Sequence, residues 1–165
     1  MKPVIEISTE SDLWESMENI EVMVEKLVAC AIHETGTKLR PASELSLLLC
    51  DDAAIRVLNR DWRKIDKATN VLSFPAPGIL AQRPVVGDIA ISFETMRGEA
   101  LAESKTLHDH FAHLFLHGFL HLVGFDHETE TDAEVMEEAE RKILARLGIA
   151  DPYAGTVSLE NRTAP

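Results

Sequence analysis

The sequence predicts one domain that mixes strands with helices, and three observations carry that expectation. The chain has 165 residues, long enough for a single core burying about 70% of the unfolded surface and too short for two. Its composition, 45% apolar and 27% charged, is that of a globular chain rather than a disordered or fibrous one. Short segments with strand patterning alternate with longer ones whose apolar residues recur at helical spacing.

Taken in order, residues 4–7 read as a short strand. Met17, Ile20, Val24, Leu27 and Ala31 then recur at helical spacing until Gly36, with Glu15, Glu18, Glu21 and Glu25 as the solvated face. Residues 45–50 form a nearly continuous apolar run, suited to a strand covered on both faces. Asp51 or Asp52 can cap the next helix, which carries Ile55, Leu58 and Trp62. Residues 71–74 make a third strand, Pro75, Pro77 and Gly78 break the chain, and residues 85–93 follow as a fourth strand with Ile89, Ile91 and Phe93 alternating. Two or three helices complete the domain. The last has Thr131 and Glu134 spaced as a capping box, Arg141, Lys142 and Arg146 near its end, and Gly148 beyond. Its seven acids between Glu128 and Glu140 read as a solvated face. The domain is expected to span residues 1–153. Residues 154–165 are polar and aperiodic and read as a flexible tail, in which the sequon Asn161-Arg162-Thr163 is a chance match.

The net charge of −12 disfavours broad attraction to nucleic acid, so the distribution of charge matters more than the sum. Residues 56–67 stand apart at net +3, with Arg56, Arg60, Arg63, Lys64 and Lys67 against Asp61 and Asp66. That stretch is either a place to hold a phosphate backbone or an ordinary solvated helix face. Cys30 and Cys50, each within an apolar segment, read as reduced core thiols. No apolar run of about 18 residues and no signal-peptide stretch occurs, so a soluble cytoplasmic protein with no membrane partner is expected. No phosphate-binding glycine fingerprint of the G-x-x-x-x-G-K-[ST] type is present, which argues against nucleotide-driven chemistry.

The chemistry concentrates between Ser104 and His127. His110, His113, His117 and His121 project within a sector roughly 80° wide, while Phe111, Leu114, Phe115, Phe119 and their apolar neighbours cover most of the rest. His117 and His121, one turn apart, can offer a nitrogen each to one metal ion. Gly124 can end the helix in the left-handed conformation and bring His127 to the same ion. Three imidazoles leave the fourth position of a zinc ion to water, as in a catalytic site. The spacing His117-x3-His121-x5-His127 matches the metzincin proteases, a zincin-like helix, but Gly118 stands where they carry the glutamate that acts as general base. Peptide hydrolysis is discounted on that ground. His113 is open to a role in the cleft or in the core, and Asp126 to orienting an imidazole, shuttling protons or capping the next helix.

The segment from His117 to His127, HGFLHLVGFDH, resembles the signature of the YbeY family of bacterial metal-dependent endoribonucleases. Leu58-Asn59 with Trp62-Arg63, then ATNVLSFP from Ala68, GDIAIS from Gly87, and Asp151-Pro152-Tyr153 resemble the family's other blocks in the same order. Phe125, where the family often has tyrosine, is a departure. The resemblance implies an α+β fold, a four-stranded mixed sheet packed with helices and the metal in a cleft. It implies His117, His121 and His127 as ligands of one Zn²⁺ and Arg63 as a residue important for RNA processing. Asp126 is the further catalytic candidate. The implied activity is a zinc-dependent endoribonuclease of single-strand type, acting in maturation of the small-subunit ribosomal RNA 3′ end and in ribosome quality control. Its implied partners are ribosomal RNA or its precursor and the ribosome or small-subunit proteins. The competing readings are a zinc-containing ribosome assembly factor that acts by binding alone, and a metalloprotease.

Overall fold

The computed structural model describes residues 2–154, so most of the expected tail, with its sequon, lies outside the described residues. Four strands, β1 (Val4–Thr9), β2 (Glu44–Cys50), β3 (Val71–Pro75) and β4 (Val85–Ser92), form one sheet in the order β1-β2-β4-β3. β1 pairs parallel to β2 and β2 parallel to β4, while β3 runs antiparallel to β4 at the edge. Five helices accompany it: α1 (Ile20–Thr35), α2 (Asp52–Arg63), α3 (Phe93–Ala102), α4 (Leu107–Leu122) and α5 (Glu130–Arg146). This is the mixed α+β sheet that the resemblance implies. Parallel neighbours need a crossover, and α1 supplies it between β1 and β2.

Alternation along β2 divides the interior. Leu45, Leu47 and Leu49 face one side, where with Ile89 and Ile91 they pack under α1, α4 and α5. Leu48 and Cys50 face the other, where a small cluster forms with Ile55, Leu72 and Ala90 under α2. The expectation that β2 is covered on both faces is half right, because Ser46 and Leu48 stay only partly buried where α2 does not reach. Burial, with Asp51, Glu10 and Asp52 nearby, pushes the Cys50 thiol up to about 12, so it stays protonated. Both cysteines are free.

Several boundaries move for identifiable reasons. α1 starts at Ile20, and Met17 and Glu15 precede it, because Ser11 caps a short 3₁₀ turn over Asp12–Ser16. That turn inserts Trp14, whose indole N–H donates to the Cys50 carbonyl at 2.9 Å. Asp51 rather than Asp52 caps α2, accepting the Ala54 N–H at 2.9 Å. Phe93 begins α3 instead of ending β4, although it stays buried. Thr129, not Thr131, caps α5 by accepting the Asp132 N–H at 3.0 Å. Trp62 does not pack with Ile55 and is 70% exposed.

α4 is the buried axis, with Phe111, Phe115 and Phe119 stacked along it at 6.3 and 6.4 Å between ring centroids. It approaches the sheet closely at Gly118, where an added Cβ would stand 3.2 Å from Ile89 Cγ2 and 3.3 Å from Val71 Cγ2. At its far end Leu122 presses on Gly87 of β4. There φ is +151°, and a Cβ would lie 2.6 Å from the Phe74 carbonyl oxygen and 2.8 Å from Leu122 Cδ2. Gly87→Ala is therefore expected to lower stability by about 2–4 kcal/mol through backbone strain and overpacking, read as a shifted urea midpoint at unchanged slope. An unchanged midpoint would show that β4 and α4 are not held this tightly.

Candidate metal centre

The four histidines of the α4 stripe grade from interior to surface. His110 and His113 are buried, His117 is 6% exposed, and His121 is partly exposed at the mouth. His110 ties α4 to α3, its Nε2 lying 2.8 Å from Glu99 Oε1, and Glu99 also accepts from Asn70 at the start of β3. His113 and His117 are organised by Glu140, a carboxylate of α5 with no exposed surface. This corrects the reading of all seven acids between Glu128 and Glu140 as a solvated face. Glu140 recurs with Met136, Ile143 and Leu144 on the apolar stripe of α5, a placement visible in the sequence once that stripe is followed.

Burial by itself raises the Glu140 carboxyl, but the facing His117 and His113 outweigh it and hold it below the ordinary carboxylate range. Glu140 is then an acceptor at both oxygens. His117 Nδ1–H donates to Oε2 at 2.7 Å, and the Tyr153 hydroxyl donates to Oε1. With its own proton committed to Glu140, Tyr153 accepts from His113 Nε2–H at 3.1 Å. Burial pushes the His113 pKa down against the pull of Glu140, leaving a neutral ring that needs no counter-charge. His113 thus serves the core.

The same reasoning fixes the two rings nearer the surface. His121 Nδ1 lies 3.1 Å from the Phe125 carbonyl, which can only accept, so the proton of His121 sits on Nδ1. Phe125 reaches that position because Gly124, at φ +106°, turns the chain out of α4. Arg83 holds the same end, donating to the Leu122 and Val86 carbonyls at 2.9 Å each. With their Nδ1 protons so placed, both rings turn Nε2 toward each other at 3.2 Å, a separation bridged either by a proton on one ring or by one ion held between the two. Imidazole nitrogens bound to one tetrahedral ion at about 2.0–2.1 Å lie about 3.3 Å from each other, so the spacing fits a shared ion. His127, exposed on the turn, brings its ring within 4.9 Å of His121 between centroids. One nitrogen from each of His117, His121 and His127 lies within 4.8 Å of the others, so the three could hold a metal ion.

An open cleft of about 350 Å³ adjoins these ligands. The structure places Arg63 and Asp126 on it with His121 and His127. Arg63 ends α2, donates from Nη2 to the Ser73 carbonyl at 2.6 Å and lies over the Phe74 ring at 5.4 Å. This fixes the guanidinium and leaves most of its donors facing solvent. Asp126 is exposed, and its carboxylate accepts the Glu128 N–H at 3.4 Å rather than meeting an imidazole. Within the basic stretch, Arg56 pairs with Asp66 and Arg60 with Asp61.

These features define an α+β protein with a three-histidine cluster that could hold a metal ion, open to solvent beside a fixed arginine. Comparison with known proteins takes the assignment further: the family model Endoribonuclease YbeY matches residues 6–148. A protein from Methylocella silvestris named Endoribonuclease YbeY is 51% identical over 100% of this chain and 94% of its own length. One of the same name from Beijerinckia indica is 50% identical over 94% of this chain and 80% of its own. The solution structure of TM1509 from Thermotoga maritima superposes with a TM-score of 0.54 at 22% identity, covering 91% of this chain and 99% of that one, which supports the fold. The chain belongs to the endoribonuclease YbeY family.

His121→Ala is expected to abolish stoichiometric metal uptake, whereas His113→Ala, outside the ligand set, should retain it. Glu140→Gln keeps the shape but weakens the hold on His117, and metal affinity should fall about 10–100-fold. Competition with a chromogenic chelator measures all three, and equal losses in His121→Ala and His113→Ala would reject the ligand assignment.

Proposed function

We propose that the chain is a zinc-dependent endoribonuclease that cuts unpaired RNA in the maturation of the small-subunit ribosomal RNA 3′ end and in ribosome quality control. Family membership makes it a nuclease hydrolase. The observation supporting the finer reading is the pairing, across one open cleft, of a carboxylate-oriented imidazole cluster with an arginine whose fork is anchored by Ser73. Three neutral nitrogen donors suit zinc among the common divalent ions. A bound ion would supply Lewis acidity toward a phosphoryl oxygen or lower the pKa of a bound water toward about 7.

The chain's own residues do the rest. Arg63 offers its remaining N–H donors to a phosphate, with the planar geometry that favours two parallel bonds. Asp126 lies on the same rim, open to water and next in the chain to His127, where a carboxylate can meet the substrate or a bound water. Glu140 and the Phe125 carbonyl keep the two Nε2 lone pairs aimed outward and the Nδ1 protons inward. A protease role fits poorly, because the position after His117 faces Ile89 and Val71 at contact distance, and a glutamate there would be driven into the sheet. Among the described residues no helix is long and apolar enough to cross a membrane. A cytoplasmic site of action, with ribosomal RNA and small-subunit proteins as partners, belongs to the same proposal.

Purified without chelator, the protein should contain one zinc per chain by elemental analysis. Arg63→Ala should weaken cleavage of a ribosomal RNA precursor at least tenfold with zinc content and folding intact. It should also flatten the salt dependence of RNA binding by about one phosphate contact. Arg63→Lys should recover part of the activity, since charge returns without the fork. Full activity in Arg63→Ala would remove Arg63 from the site. Absence of cleavage by zinc-loaded wild type would favour a factor that acts by binding alone.

A further inference from the structure

An apolar groove of about 370 Å³ lies between the last turns of α2 and the half-covered face of the sheet. Leu58 and Trp62 form its helix wall, while Leu48, Ala90, Asp88 and Phe74 contribute from the sheet. Register explains the grouping. Leu48 pairs with Ala90, and Asp88 stands next to Phe74 across the β3–β4 ladder. Trp62, at 70% exposure, is the least covered of the aromatic side chains here and stands 6.3 Å from Phe74 between ring centroids.

This groove adjoins the metal cleft across the contact of Phe74 with Arg63. Phe74 lines the groove and carries the Arg63 guanidinium over its ring at 5.4 Å, and Arg63 lines the cleft. Charge separates the rim from the floor. At the Phe74 end of the rim stands the guanidinium of Arg63, the last residue of a helix whose stretch 56–67 is net +3 in a chain of net −12, with Arg56 and Arg60 paired to Asp66 and Asp61. The floor holds the Asp88 carboxylate beside apolar side chains. An anionic backbone is therefore favoured beside Arg63 and repelled from the floor, while a flat, uncharged ring is accepted against the exposed face of Trp62. A polymer that carries both groups on each unit is single-stranded nucleic acid, and aromatic platforms beside basic residues bind it by base stacking.

The geometry points to a base-stacking subsite: an unpaired base of the RNA strand lies on Trp62 in the groove, while its backbone passes Arg63 toward the metal cleft. A duplex is excluded from this subsite, because its bases are already stacked on one another. The inference rests on the nuclease reading for the identity of the polymer, and it supplies a physical reason for preferring unpaired RNA.

The test uses the full chain carrying His121→Ala to prevent cleavage, with a short oligouridylate and a blunt RNA duplex as probes. The chain has two tryptophans, and Trp14 is buried at 3% exposure, so solvent-exposed emission reports Trp62. The single strand should quench that emission on saturation, and the duplex should not. Trp62→Ala should weaken single-strand binding about 5–20-fold and leave duplex binding unchanged, while Trp62→Phe should restore most of the affinity. Metal uptake measured in the otherwise wild-type chain should not change with either substitution. Saturation without quenching, or equal losses for strand and duplex, would overturn the subsite, and so would quenching by a protein partner but not by RNA. If wild type cuts RNA and Trp62→Ala binds the strand normally, the subsite falls and the nuclease reading stands. Quenching by the strand in a zinc-loaded protein that cuts nothing keeps the subsite and rejects the nuclease reading.

Discussion

Glu140 carries a charge with no exposed surface, and the order of the metal centre follows from the need to match it. A buried carboxylate is tolerated only when its oxygens accept strong hydrogen bonds, and here His117 and Tyr153 provide them. The first bond fixes the tautomer of His117, and the second, passed on to His113, joins the C-terminal end of the described chain to α4. Because the acceptor end of this chain is fixed, the direction of each bond in it is fixed too. The result at the surface is an Nε2 held in place before any ion arrives, facing a second one that the Phe125 carbonyl has prepared in the same way.

Such precision needs a helix that cannot shift, and the sheet supplies the support. α4 lies against β3 and β4 at contact distance because the residue facing Ile89 and Val71 is Gly118, and because Gly87 leaves room for Leu122. The substitution that would bring the chain nearer the protease pattern at residue 118 is thus opposed by the packing that positions the ligands. Arg83 ties the end of α4 to β4, so the turn that delivers Phe125 and His127 starts from a fixed point. The mixed sheet has a second consequence. Antiparallel β3, on the edge next to β4, brings Ser73 and Phe74 to the end of α2, where they hold Arg63 at the cleft.

Much of this was legible in the residues. The interval between His117, His121 and His127, with Gly124 between, stated the ligand geometry because helical periodicity and a left-handed turn are local properties. The order of strands and helices was legible for the same reason. Strand directions were not, since pairing is a long-range choice, and family resemblance implied only that the sheet is mixed. Glu140 was masked by composition: five other acids precede it on α5, none of them buried, and only its phase on the apolar stripe marks it out. Thr129 caps α5 without the glutamate three residues on that marks a capping box; that pattern falls two residues later, at Thr131 and Glu134. Trp62 has the spacing of a core residue, but the sheet face beneath it is incompletely covered, and no local pattern reports how far a helix overhangs its sheet.

The central claim is that Glu140 and the Phe125 carbonyl aim two deprotonated nitrogens at one point, where a metal ion binds with His127. Anomalous X-ray diffraction at the zinc edge, on crystals grown with one equivalent of zinc, tests it directly. A single strong peak is expected about 2.0–2.1 Å from Nε2 of His117 and Nε2 of His121 and within bonding distance of His127, with His117 Nδ1 still on Glu140. A peak bound through Nδ1 of either α4 histidine, or a site with no peak and a proton shared between the two rings, would contradict it.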